Sequence, residues 1–452
     1  MNDTSLSGIQ WPAIHPAPDA RLLALLFQLE QTQWWEPARL RESQLMQVRA
    51  LLRHAYTHSS FHRERMRGCD FDPYAEFGWD DFSALPRLTR AELQQNSAQL
   101  DCRQAIAAHG ECLPGTSSGS TGMPIRFFST AVTRLMWNAM TLRDHVWQRR
   151  DLSLKLASIG DFEREITLPN WGNPAANVAL TGPAAVFSIE QNVALQVDWL
   201  LRVQPAYILT YPTNVDALLR NCRERRIRLP GLREARTFAE TLPLHLRDLC
   251  RQVWGVPLTD LYSSREAGYI ALQCPEGTHY HVQSENVLVE VLDDNGRACG
   301  PLVPGKVVLT VLNNLATPLI RYEIGDIAVP GEACACGRGL PVLMRVGGRV
   351  RNLLTLPNGD QRFPDFGESF YGDIVPVLQF QVIQKTPQRL ELHVVVERAP
   401  TPAEAAAIKR RLNSQLHHDF EIELVMKDAI PRGPSGKYEE FRSEIAPRGT
   451  SG

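Results

Sequence analysis

The chain has 452 residues and a mass of 50.8 kDa, too long for one core, so two or three domains are expected. Hydrophobic residues at 44%, charged residues at 22% and a formal net charge of −2 fit a soluble globular protein and give no electrostatic footprint for a nucleic acid or a membrane surface. No apolar run has membrane-span length, and the start, Met1-Asn2-Asp3-Thr4-Ser5, lacks the basic and apolar regions of a signal peptide, so a cytoplasmic location is expected. Nine scattered cysteines then read as free thiols or metal ligands, not as a disulfide framework.

In chain order, residues 1 to about 20 are rich in Pro and small polar residues and read as a loosely held arm. Leu45, Val48, Leu51, Leu52 and Ala55 recur at helical spacing, which predicts an amphipathic helix over Leu40 to Tyr56. Thr89 and Glu92 form a capping box and predict a short helix behind Leu85-Pro86. Next comes Thr116-Ser117-Ser118-Gly119-Ser120-Thr121-Gly122-Met123-Pro124, backed by Ile125-Arg126-Phe127-Phe128. Its glycines permit unusual backbone angles and its hydroxyls are donors, so N–H and O–H groups can converge on a phosphate. It is not a Walker loop, because Gly122 is followed by Met123-Pro124 and a β-prone run instead of Lys and a helix. A Ser/Gly surface turn is the competing reading of this stretch taken alone.

A long helix is expected from about Ala131 to Gln148. Between Leu154 and Ala235 short β-prone runs alternate with helical segments, clearest at Tyr207 to Thr210 followed by Asn214 to Leu219, which implies β-α-β units. Glu285 to Leu292 and Lys306 to Leu312 are alternating strands joined through Asp293-Asp294-Asn295-Gly296, and imply antiparallel sheet. After Gly348 the texture changes to strands at Val377 to Gln384, Leu390 to Glu397 and Phe420 to Met426, with a helix capped by Thr401 and Glu404 and running to about His417. The expected fold is therefore α/β: a large layered domain over residues 1–348, with mixed sheets, helices and an antiparallel portion, a hinge at 349–352, and a small mobile α+β domain over 353–452. The tail from Pro447 should be disordered.

Four more short stretches follow the Ser/Gly loop in order: Asp260-Leu261-Tyr262-Ser263-Ser264-Arg265-Glu266, Leu319 to Asp326, Val346-Gly347-Gly348-Arg349, and Pro431 to Lys437. Each alone is a common loop sequence. Together with Arg53 to His62 and Leu85-Pro86, their order resembles the acyl-adenylate-forming enzymes over nearly the whole chain, and within them the phenylacetate-CoA ligase group.

That resemblance implies roles. Thr116, Ser117, Ser118, Gly119, Ser120, Thr121 and Gly122 would hold the β- and γ-phosphates of ATP, with Ile125 where many relatives carry Lys. Tyr262 would stack on adenine beside Ser263, with Ala239-Glu240-Thr241 along the other edge. Glu266 would reach Mg²⁺, a hard cation suited to carboxylate oxygen. Asp326 would accept both ribose hydroxyls. Arg349 would lie on the ribose-phosphate side, and Lys437 would neutralise charge developing between the attacking carboxylate and the α-phosphate. Arg351 departs from the family's hinge, where Asp or Lys is expected, and puts the domain rotation of the second step in question.

Cys274, Cys334 and Cys336 with one imidazole form a candidate closed zinc set; the resemblance implies His281 as that imidazole, with His279 the rival, and four reduced, unliganded side chains are the alternative. Phe162, Trp171, Tyr207, Tyr211 and Tyr269 lie near the motifs and are candidates for an apolar acid pocket, with core packing the commoner role for aromatics at this density.

The resemblance implies an AMP-forming ligase that joins a small carboxylic acid to a thiol, with MgATP and most readily coenzyme A. No nucleic acid or membrane partner is expected, and the relatives suggest a homodimer. Transfer to a carrier-protein pantetheine or an amine is the rival enzymatic reading, and a nucleotide-binding regulatory protein without catalysis the non-enzymatic one.

Overall fold

The computed structural model describes residues 14–117, 124–349, 353–364, 366, 373–431, 438 and 440–445, with Arg349 described by its backbone alone. Ser118, Gly119, Ser120, Thr121, Gly122, Arg351, Lys437 and the tail from Pro447 therefore lie outside the described residues.

The first helix, Ala17–Thr32, begins inside the segment expected to be a loose arm. A proline at its first turn has a pre-set φ and no N–H to waste, and Leu22 and Leu29 bury one face against Met136, Ala139 and Met140. Pro16 and Pro18, expected to belong to a loosely held arm, therefore start a helix. Pro37–His58 contains the expected amphipathic helix and buries Val48, Leu51, Leu52 and Ala55. Arg90–Gln95 has the expected capping box: Glu92 N donates to Thr89 Oγ1 at 3.2 Å, and Thr89 N donates to the Glu92 carboxylate at 2.7 Å.

Strands β1 (Leu113–Thr116) and β2 (Arg126–Ser129) form an antiparallel hairpin, followed by the helix Ala131–Trp147. Twelve strands then build one sheet. They are β3 (Leu156–Gly160), β4 (Ile166–Leu168), β5 (Ala184–Ser188), β6 (Tyr207–Thr210), β7 (Glu234–Thr237), β8 (Leu258–Ser264), β9 (Gly268–Gln273), β10 (Tyr280–Val282), β11 (Val287–Leu292), β12 (Gly305–Val311), β13 (Tyr322–Pro330) and β14 (Val342–Arg349), in the order β11-β12-β13-β14-β10-β9-β8-β7-β6-β3-β5-β4.

From β5 through β3, β6 and β7 to β8 the neighbours are parallel. From β8 through β9, β10, β14, β13 and β12 to β11 they are antiparallel. The two textures expected from sequence are thus halves of one sheet joined at β8. The parallel half is wrapped by Val193–Val203, Pro212–Glu224 and Leu246–Trp254, whose Trp199, Leu200, Val215, Leu218 and Leu249 pack with Ile159, Ile208 and Leu258. Parallel strands point their carboxyl ends to one side, where α/β sheets bind ligands.

The carboxy-terminal part has the short hairpin β15 (Leu354–Thr355) and β16 (Gln361–Arg362), then a sheet in the order β19-β18-β17-β20. Its strands are β17 (Val377–Gln384), β18 (Arg389–Val396), β19 (Glu421–Met426) and β20 (Phe441–Ser443). Leu390, Leu392, Val394, Ile408, Leu412 and Phe441 form a core drawn from this part of the chain. The helix Pro402–Gln415 has the expected cap, with Glu404 N donating to Thr401 Oγ1 and Thr401 N donating to the Glu404 carboxylate.

Candidate active site

The Ser/Gly loop leaves from the end of β1 and returns to β2, so Thr116 stands opposite Arg126 in the ladder. Ser117 closes its base. The Ser117 N–H donates to the Ile125 carbonyl at 3.0 Å, while Ser117 Oγ accepts from Ile125 N at 3.0 Å and from Arg90 Nη2 at 3.2 Å. A hydroxyl that accepts two bonds can still donate one. Arg90 is the basic residue of the Leu85-Pro86 helix entry, and it braces the hairpin from the short helix.

At the carboxyl end of β7, Ala239 adopts φ +70°, a left-handed conformation uncommon for a residue with a Cβ. Glu240 follows. Its Oε2 accepts from Thr213 N at 3.1 Å and Thr213 Oγ1 at 2.8 Å, and its Oε1 accepts from the backbone N–H of Tyr438, in the carboxy-terminal part, at 2.7 Å. Both carboxylate oxygens of this expected adenine-edge residue are engaged by protein.

The candidate pocket aromatics divide. Tyr211 follows β6 at its carboxyl end and packs on Phe238, ring centroids 5.0 Å apart. Phe162 follows β3 at the same side. Tyr207 and Trp171 belong to the opposite end: Tyr207 Oη accepts from Asp151 N at 2.9 Å, and the Trp171 indole donates to the Leu154 carbonyl at 2.7 Å, both ahead of β3. These two are packing residues, paired edge to face at 5.4 Å.

Strand β8 carries Tyr262 and Ser263 and ends just before Glu266, and its pairing with β9 is offset at the Tyr262–Ser263 step. The Tyr262 hydroxyl donates to Asp326 Oδ2 at 2.7 Å, bringing together two expected nucleotide-binding residues 64 positions apart. Gly325, at φ +85°, turns the backbone immediately before Asp326. Asp326 is directly opposite Arg349 in the β13–β14 ladder, so the backbone also unites those two. Below them Asp260 is buried and accepts from Thr237 Oγ1 and Tyr280 Oη, each at 2.7 Å. Burial pushes its carboxyl up to about 6, against the pull of those two hydrogen bonds.

Glu266 is buried and borders a cavity of about 120 Å³ next to the hairpin. Phe127, Met136, Trp137, Met140 and Tyr269 give this cavity an apolar wall, and Arg134, Arg265 and Asn313 add polar groups. Arg265 Nη1 reaches the Thr116 carbonyl at 3.5 Å, tying the Glu266 turn to the root of the loop.

On the antiparallel side the expected thiols and imidazoles converge. Donor atoms of Cys274, His279, His281 and Cys334 lie within 4.8 Å of one another. Cys334 Sγ is 3.0 Å from His279 Nε2 and 3.9 Å from Cys274 Sγ, and Cys336 Sγ is 3.4 Å from His281 Nε2. His279 therefore joins the four expected ligands, and five donors serve a site that needs four. His281 Nδ1 faces the Leu340 carbonyl at 3.4 Å, the usual way an outer contact aims the other nitrogen of a metal-binding imidazole. Burial pushes the Cys274 thiol up to about 12, with the thiols of Cys336 and Cys334 adding to it, and burial holds His281 down at about 4. The cluster thus gathers thiol and imidazole donors of the kind that bind a divalent cation such as zinc.

A family profile described as the CapK C-terminal domain matches residues 370–443. Phenylacetate-coenzyme A ligase of Thermus thermophilus is 25% identical over 342 residues, covering 70% of this chain and 72% of that protein. Among solved structures, 2-hydroxyisobutyryl-CoA ligase in its postadenylation state with R3-HIB-AMP aligns with a TM-score of 0.69 and 18% identity over 92% of both chains. The same ligase with 2-HIB-AMP and CoA in the thioesterification state gives 0.57 and 20%, again over 92% of both chains. Benzoate CoA ligase from Burkholderia xenovorans LB400 gives 0.50 and 14%, over 73% of this chain and 68% of that one.

Proposed function

We propose, on the premise that this chain has the acyl-adenylate-forming fold and is a sequence relative of phenylacetate-CoA ligase, that it is an AMP-forming carboxylate ligase producing a coenzyme A thioester. The observation that carries the reading is the Tyr262–Asp326 pair, held at 2.7 Å on the strand that ends beside Glu266 and the hairpin. Tyr262 and Asp326 would hold adenosine, one by its ring face and the other by carboxylate acceptors for the ribose. The loop from Thr116 to Gly122 would bind the outgoing phosphates, with Glu266 the ligand for Mg²⁺, which screens phosphate charge.

In the first step a carboxylate oxygen of the acid attacks the α-phosphorus, the bond to the β-phosphate oxygen breaks, and pyrophosphate leaves. Lys437 would neutralise the charge that builds up there, and Arg349 would lie on the ribose-phosphate side. In the second step the coenzyme A sulfur attacks the acyl carbon, the bond to AMP breaks, and the thiol proton passes to solvent. The hinge at 349–352, with Arg351, would turn the small domain between the steps.

The apolar wall beside Glu266, together with Phe162 and Tyr211 at the strand ends, supports an aryl or apolar acyl acid. The Cys/His cluster supports a structural zinc held by Cys274, Cys334, Cys336 and one or both of His279 and His281. No helix among the described residues is long and apolar enough to cross a membrane, consistent with a cytoplasmic site of action.

Acid-dependent exchange of labelled pyrophosphate into ATP, screened over aromatic, fatty and amino acids, tests the first step. Mass spectrometry of the products with coenzyme A, a carrier protein and amines offered together tests the acceptor. Absence of AMP with every acid would refute the reading.

A further inference from the structure

The contact between Glu240 and Tyr438 carries information beyond nucleotide binding. Glu240 stands at the carboxyl end of β7, with Oε2 fixed by two donors from Thr213 at the start of the helix Pro212–Glu224. The carboxylate is thereby oriented, and its Oε1 accepts the Tyr438 backbone N–H at 2.7 Å, across 198 positions of sequence. Tyr438 is the residue next to Lys437. Its hydroxyl donates to the Phe380 carbonyl of β17, and two residues on the Glu440 carbonyl accepts from Val382 N at 2.8 Å. The segment is thus bound to its own sheet by β20 and to the large domain by Glu240.

We propose that Glu240 is a positioning residue for the adenylation step: it docks Tyr438, the residue next in sequence to Lys437, at the carboxyl end of β7, and it lets go of Tyr438 when the small domain turns. This rests on the ligase reading above. A charged acceptor makes a stronger hydrogen bond than a neutral one, and the left-handed Ala239 before it aims the carboxylate off the end of β7. Glu440 faces the same seam, where Asp216, Glu240, Arg220 and His245 surround it. Burial and then the neighbouring Asp216 charge push Glu440 up to about 7, so the closed seam crowds carboxylates. Such a contact can hold without being permanent, as a two-position domain requires.

The test compares wild type, Glu240→Ala and Glu240→Gln in the full-length protein. In Glu240→Ala the kcat of pyrophosphate exchange should fall about 10- to 100-fold, with KM for ATP changing less than about threefold, because remote misplacement of a catalytic group costs on that scale. Thioester formation from supplied acyl-adenylate and coenzyme A should stay within about twofold. Glu240→Gln keeps an acceptor oxygen and should recover most of the exchange rate. Hydrogen exchange of the peptide spanning Tyr438 should accelerate at least tenfold in Glu240→Ala while core strands β6 and β8 keep their protection. A KM rise with unchanged kcat, equal loss in both half-reactions, or unaltered exchange at Tyr438 overturns the proposal. The hydrogen-exchange arm requires no turnover, so a wild-type protein without adenylation would count against the ligase reading while the docking contact is judged on its own.

Discussion

Tyr262 donates its hydroxyl to the Asp326 carboxylate, joining β8 in the middle of the large sheet to β13 near its far edge. The bond fixes the aromatic ring against the carboxylate, so the two groups expected to bind adenosine are oriented relative to one another before any ligand arrives. Asp326→Ala should therefore raise KM for ATP at least about tenfold, since it removes charged acceptors. Tyr262→Phe keeps the ring and loses only the tether, so about two- to fivefold is expected. Initial-rate kinetics at saturating acid measure both.

Lys437→Ala should abolish acid-dependent pyrophosphate exchange while leaving ATP binding within about threefold. Binding is read by calorimetry and exchange by label. Retained exchange in this variant would remove Lys437 from the mechanism.

The Cys/His cluster predicts about one zinc per chain by elemental analysis. Cys334→Ser should lose the metal and lower the melting temperature by several degrees, and chelator treatment of wild type should do the same. His279→Ala and His281→Ala test the two imidazoles separately: loss of a ligating imidazole costs metal, and loss of a non-ligating one leaves occupancy intact.

Glu440 predicts a pH dependence of docking. Its pKa is raised at the seam, to about 7, so the docked arrangement is favoured when the carboxyl is protonated and loses that contribution as pH rises through about 7. The groups facing it are Asp216, Glu240, Arg220 and His245. Pyrophosphate exchange should fall from the ordinary glutamate range near 4.5 up to about pH 7, and level off above it, relative to Glu440→Gln, whose profile should be flatter. Parallel profiles would exclude Glu440 as the titrating group.

Much of this architecture could be read from local sequence, for a physical reason in each case. Thr89 with Glu92, and Thr401 with Glu404, start helices through contacts three residues apart, and both capping boxes are present. Val377–Gln384 and Tyr207–Thr210 form as expected because each is a short run rich in β-branched, aromatic and other apolar residues, a signal carried within the segment itself. Long-range relationships were not legible. Nothing local says that Ser117 receives Arg90, that Glu240 meets Tyr438, or that β8 belongs to both halves of the sheet. Trp171 and Tyr207 misled because strand polarity, which decides the end of the sheet an aromatic occupies, is a property of the whole topology.

The dual membership of β8 has a thermodynamic corollary. A strand hydrogen-bonded to a parallel neighbour on one side and an antiparallel one on the other cannot let either half melt without exposing its own backbone. The large domain should accordingly lose structure in one calorimetric event, whereas the carboxy-terminal sheet, with a core of its own, is free to melt at a different temperature.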